Sequence, residues 1–258
     1  MRSVTTITLG AVLLLTGCAG SSQGANTQAL PDAAPKTPAA EPSRLPDYSG
    51  YSYTGACPNL HGGDCLGVLD AGTYRTSVFE PAIEYTVPDD TWANMEDLPG
   101  NFLLFRPQDA QDGLDGGSYI GVYQNIRVPD MGCAEKWEEG VGHTPEQMIA
   151  FYRGVPGLDV SPAREVTVGG LTGYQLDFEV KAKDTLCGFG GFRATPLIIG
   201  GGVSDLHHVV APRVDVRLIL LSWHKGNVTI EVTNVETQYT ARKWRAIVQP
   251  IIASFQFN

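Results

Sequence analysis

The 258-residue chain is short of positive charge, with 18 Lys and Arg against 28 Asp and Glu, and its basic residues are scattered. Nucleic acid is therefore not expected as a partner, because binding phosphates needs clustered cations that displace counterions. Apart from one stretch near the N-terminus, long apolar runs are also missing. Nothing else reads as a transmembrane helix, which needs roughly 20 apolar residues. Cysteine is sparse, at five. Residues 72–258 contain no Gly-x-Ser-x-Gly, the tight turn that presents a hydrolase serine. No Gly-Lys-Ser/Thr follows the glycine-rich segments, so a phosphate-cradling loop is not indicated either.

What is present begins with a basic start, Met1-Arg2, and an apolar stretch from Ile7 to Leu15 that is too short for a stable membrane span. It runs into Leu15-Thr16-Gly17-Cys18, which looks like the lipobox of bacterial lipoproteins: a small residue before the cysteine fits a peptidase groove, and the thiol takes a diacylglycerol. Residues 1–17 are read as a signal peptide and Cys18 as the lipidation site. The expected location is the cell membrane, lipid-anchored and facing outward into the envelope. Each buried methylene of an acyl chain contributes about 0.8 kcal/mol, so two or more chains would hold the protein on the membrane. With residues 1–17 removed, the formal charge becomes −11, from 17 basic and 28 acidic residues. Such a balance implies a soluble, self-repelling surface.

Residues 18–47 are rich in Ala, Pro, Ser, Thr and Gln and carry too little apolar surface to offset chain entropy. They are read as a tether of roughly 30 Å average span. Setting Cys18 aside leaves Cys57, Cys65, Cys133 and Cys187, an even number that suggests two disulfides in an exported chain. Three pairings are open; Cys57–Cys65 with Cys133–Cys187 is favoured, making residues 48–71 a stapled N-terminal extension. Cys57, His61 and Cys65 as zinc ligands is the weaker alternative, since the spacing of a finger is incomplete.

A single α+β domain is expected over residues 72–258. Ile83-Glu84-Tyr85-Thr86-Val87 alternates apolar and polar residues, and strands are read at 102–106 and 119–127. Asp109, Asp112 and Asp115 lie in the connecting loop, where their spacing misses the calcium-loop pattern. Thr144-Pro145-Glu146-Gln147 opens a helix with a capping box, and Gly154 and Pro156 close it. A hairpin at 166–168 and 174–180 turns at Gly169-Gly170. Another, 214–223 with 228–235, turns around Lys225-Gly226-Asn227. Leu218–Leu221 are apolar on both faces, which places that strand centrally. A last helix carries Trp244, Ile247, Val248, Ile251, Ile252 and Phe255 on one stripe, and Pro250 is expected to kink or split it. The order of elements implies a twisted antiparallel sheet with two helices packed on one side.

This pattern resembles the PsbP/Mog1-like domains of exported actinobacterial lipoproteins. The resemblance rests on Tyr74 with Phe79, Val87-Pro88 before Trp92, Val168-Gly169-Gly170-Leu171 with Gly173-Tyr174, and Ser254-Phe255. It implies a module that docks proteins or apolar molecules rather than one that carries out chemistry. Separately, no cofactor is expected. Residues 181–212 depart from the minimal family pattern. They read as a long glycine-rich loop, either packed on the sheet or forming a lid. The candidate ligand-binding residues are there: Asp205, His207 and His208, with Phe189 and Phe192. Neighbouring residues of a strand face opposite ways, so His207 and His208 are not expected to share a metal ion. The leading expectation is a noncatalytic module for an envelope protein or apolar molecule. The alternative is an envelope hydrolase with its site under 181–212.

Overall fold

The computed structural model of the protein describes residues 66–109, 117–189, 192–200, 207–236 and 239–258. Cys18, the tether, Cys57, His61, Cys65, Asp112, Asp115 and Asp205 lie outside the described residues, as do the side chains of Phe189, Phe192 and His207.

The centre is an antiparallel sheet. Its strands are β1 (Gly67–Leu69), β4 (Trp92–Leu98), β5 (Asn101–Phe105), β6 (Tyr119–Gln124), β7 (Leu158–Val160), β8 (Arg164–Val168), β9 (Leu171–Val180), β13 (Val214–Trp223) and β14 (Gly226–Val235). The spatial order is β1-β4-β5-β6-β14-β13-β9-β7, with β8 also paired to β9. The sheet takes in Gly67–Leu69, so the fold extends upstream of the expected start at residue 72. The strand with apolar residues on both faces, β13, does lie inside the sheet, between β14 and β9.

Its alternation decides the layers. Ile219 and Leu221 point to one face, where α2 (Ala241–Ser254) packs with Trp244, Val248, Ile251 and Ile252. Val216, Leu218 and Leu220 point to the other, where α1 (Pro145–Tyr152) packs with Met148, Ile149 and Tyr152. The two helices thus lie on opposite faces, which corrects the expectation of one side. A central strand that is apolar on both faces needs a cover on each, and each helix has a single apolar stripe to give. The first face is shared by a three-stranded sheet of β2 (Gly72–Arg75), β3 (Ile83–Val87) and β15 (Gln256–Phe257). Ile83, Tyr85 and Val87 bury its alternating side.

The expected long loop is also corrected. Residues 181–212 contain a second small sheet, β10 (Cys187–Phe189), β11 (Phe192–Ile199) and β12 (His207–Val210). Leu197, Ile198 and Val210 are fully buried in the core that contains α1. Fully burying a side chain of this kind contributes about 1.5–3 kcal/mol, which is why this segment packs as a layer.

The local signals hold with two adjustments. In α1, Gln147 Oε1 accepts from the Thr144 N–H at 3.3 Å, with Pro145 in the first turn. The β8–β9 hairpin turns at Gly169-Gly170, both in the left-handed region that glycine tolerates. The β13–β14 turn is His224-Lys225, one position earlier than read, because Trp223 pairs with Gly226 and Ser222 with Asn227. The last helix is continuous from 241 to 254 with Pro250 inside it, capped by Thr240 Oγ1 accepting from the Lys243 N–H. Burial of its stripe outweighs the one hydrogen bond that proline removes.

Cys133 and Cys187 form the expected disulfide, with Cα atoms 5.6 Å apart and a separation of 54 positions in sequence. It ties the 130–139 segment to β10. Replacing both cysteines by serine is expected to lower unfolding stability by about 2–4 kcal/mol. Urea unfolding checks this, and unchanged stability would mean that the crosslink constrains nothing that packing does not already hold.

Candidate functional site

A polar cluster lies in the interior where the small sheet β10–β12 covers the central sheet. Strand β14 faces α2 with Val228, Ile230 and Val232, so Asn227, Thr229, Glu231 and Thr233 face the other way, and all four are buried. Glu231 is 1% exposed. Its Oε2 lies 2.9 Å from Nδ1 of His208 on β12, and its Oε1 accepts from the Thr233 hydroxyl at 3.0 Å. The Tyr119 hydroxyl on β6 lies 2.6 Å from the same His208 Nδ1.

Tyr123, also on β6, sets its ring 4.9 Å from that of His208, tilted by 54°. Its hydroxyl reaches over Gly121, which pairs with Glu231 across the strands. A Cβ at residue 121 would collide with that hydroxyl, so glycine there makes the close approach to the carboxylate possible. From β4, Glu96 adds a second carboxylate, whose Oε2 accepts from Asn101 Nδ2 at 2.6 Å.

The electrostatics follow from burial and pairing. Burial disfavours the imidazolium of His208, but the Glu231 charge and hydrogen bond, with Glu96, outweigh it and raise the pKa. Burial equally opposes the Glu231 charge, yet His208, Thr233 and Tyr123 hold its carboxyl below the ordinary value. Glu96 is raised, mainly by burial. Tyr119 and Tyr123 are pushed well up by burial and by the Glu231 charge, so they stay protonated as hydrogen-bond donors.

Of the residues singled out from sequence, His208 is brought into this cluster and its Nδ1 is committed there. Glu231, Tyr119, Tyr123 and Glu96 were not expected from the sequence. A signal for Glu231 existed: if the neighbouring strand is apolar on both faces, the polar face of β14 must be covered as well. Asp109, the described member of the three loop aspartates, accepts from the Tyr239 hydroxyl at 2.8 Å and lies 3.8 Å from Arg106 Nε. Among the described residues, no three His, Cys, Asp or Glu side chains are grouped to hold a metal ion.

Two other places carry residue types used in chemistry. Ser222-Trp223-His224-Lys225 has Ser-x-x-Lys spacing, but Ser222 is exposed on a strand and Lys225 lies in the following turn. The helical turn that would bring serine and lysine together is absent from that segment. An open groove of ≈ 420 Å³ runs past Glu146, Glu165, Thr167, Tyr174 and Ser222. Among its described lining residues, no nucleophile and base are in mutual contact.

No family model matches the chain, and no curated protein matches it. Among solved structures, it is similar to cyanobacterial PsbP (CyanoP) from Synechocystis, at 14% identity and a TM-score of 0.37, over 76% of this chain and 98% of that one. It is also similar to a crystal structure from Bacteroides thetaiotaomicron, at 13% identity and a TM-score of 0.32, over 74% of this chain and 49% of that one.

Proposed function

We propose that this chain is an exported bacterial lipoprotein, lipidated on Cys18, whose folded domain serves in the cell envelope as a noncatalytic binding module. The observation that carries the reading is the apolar stretch ending in Leu15-Thr16-Gly17-Cys18, followed by a Pro- and Ala-rich tether. A lipid anchor with a flexible spacer suits a domain that meets its partner close to the membrane surface. The partner class is an envelope protein or an apolar envelope molecule. The PsbP/Mog1-like assignment belongs to this proposal and rests on the residue phrases that carry the resemblance.

The hydrolase alternative gains no support from His208. A general base must reach its substrate proton, and this ring is 14% exposed with Nδ1 held by Glu231 and Tyr119. Among the described residues, no helix is long and apolar enough to cross a membrane.

Cys18→Ala is expected to move the protein from the membrane fraction to an unlipidated precursor or a shed form. Fractionation with mass measurement of the N-terminal peptide checks this, and an unchanged membrane fraction would overturn the anchor. For the binding role, native mass spectrometry of protein recovered from its own envelope should show a ligand mass lost on denaturation, or crosslinking should return a reproducible protein partner. If neither appears, the binding reading fails.

A further inference from the structure

We propose that the small sheet β10–β12 is held on the central sheet by a proton-dependent clasp. In it, His208 of β12 grips Glu231 of β14 when its ring carries both protons and passes its Nδ1 to Tyr119 of β6 when it has lost one.

The geometry carries the proposal. His208 Nδ1 stands 2.9 Å from Glu231 Oε2 and 2.6 Å from the Tyr119 hydroxyl. A ring nitrogen either bears a hydrogen and donates or lacks one and accepts. With the hydrogen, Nδ1 donates to the carboxylate, the stronger acceptor of the two. Without it, Nδ1 accepts from the Tyr119 O–H. The proton leaves Nδ1 for solvent, and Glu231 is left ionised in the interior with hydroxyl donors in place of a cation. An ionised carboxylate that loses its buried partner destabilises the packing around it.

Among the described residues, the titratable and charged groups facing His208 all act in this scheme. Glu231 approaches from β14, Tyr119 and Tyr123 from β6, and the field of Glu96 from β4. Strands β9 and β13, which also contact β12, present Leu176, Phe178, Val216, Leu218 and Leu220, with Tyr174 at the rim. From α1, the Tyr152 hydroxyl donates to the Leu197 carbonyl at 2.6 Å.

The layer has pH-independent fastenings as well. They are that Tyr152 bond, the backbone pairing of Arg127 with Ile199, and the Cys133–Cys187 disulfide. In the order β10-β11-β12, the disulfide holds one edge strand and His208 the other. Loss of the clasp therefore loosens β12 first while β10 stays tied.

The direction with pH follows from linkage. The folded pKa of His208 lies above its ordinary 6.5, so its contribution is complete below 6.5 and is lost as pH rises through the raised value. The folded pKa of Glu231 lies below its ordinary 4.5, so its contribution is complete above 4.5 and is lost as pH falls through the depressed value. Glu96, raised by burial, also favours the folded state less as pH rises. The clasp is tightest under mildly acidic conditions, between the two ordinary values.

Hydrogen exchange of the full chain from about pH 5 to about pH 9, corrected for the intrinsic pH dependence of exchange, tests this. Protection of 207–210 is expected to fall as pH passes the His208 pKa, by about tenfold for each pKa unit separating the clasped and released ring. Protection of β13 and β14 should hold. In His208→Gln the step should vanish. In Tyr119→Phe it should deepen, because the neutral ring then has no donor to accept from. No step in the natural protein, a step surviving in His208→Gln, or an unchanged step in Tyr119→Phe would each overturn the clasp.

Discussion

Glu231→Ala is expected to lower unfolding stability by about 3–5 kcal/mol, the range for breaking a buried ion pair by removing one partner. The carboxylate is fully buried and serves His208 Nδ1 and the Thr233 hydroxyl at once. The loss is expected to show a signature that a simple cavity would lack. Without Glu231, burial dominates at His208, and its pKa should fall from the raised value, which imidazole NMR signals read directly. A second variant separates charge from packing. Glu231→Leu combined with His208→Phe removes both ionisable groups, and it should recover much of the stability that Glu231→Ala loses, because apolar replacement of a whole buried pair is often neutral. A double variant as weak as the single would show that packing, not pairing, sets the cost.

Asp97→Ala is expected to cost about 4 kcal/mol, because it strands several donors at once. Asp97 is buried on β4, and its two oxygens accept from the backbone N–H groups of Ser77, Val78 and Phe79 and from the Ser77 hydroxyl. These bonds fix the segment between β2 and β3 that brings Phe79 into the α2-side core. Asp97→Asn should cost nearly as much, since both oxygens are used and an amide keeps one acceptor. Urea denaturation of the two variants checks the pair. A near-natural Asp97→Asn would show that charge and bidentate acceptance matter little there.

The sequence showed much of the local structure for a plain reason: local signals depend on neighbours in the chain. Alternation marked β3, Gly169-Gly170 marked the β8–β9 turn, and Thr144 with Pro145 and Gln147 marked the start of α1. The unbroken apolar run at Leu218–Leu221 placed β13 inside the sheet. Residues 181–212 were not legible as a sheet, because Gly188, Gly190, Gly191 and Gly200–Gly202 suggest turns. Burial of Leu197, Ile198 and Val210 against residues far along the chain decides their conformation instead.

By itself, then, the sequence determined the antiparallel character of the domain and the turns that organise it. Each follows from composition or spacing within a few residues. Only the tertiary structure decided that α1 and α2 take opposite faces and that His208 meets Glu231, Tyr119 and Tyr123. Those four side chains come from β12, β14 and β6, up to 112 positions apart in sequence, between Tyr119 and Glu231. Nothing in a chain's local pattern encodes such a meeting. It is set by which sheet faces must be covered, and His208, Glu231 and Tyr119, caught under the cover, then have one another as partners.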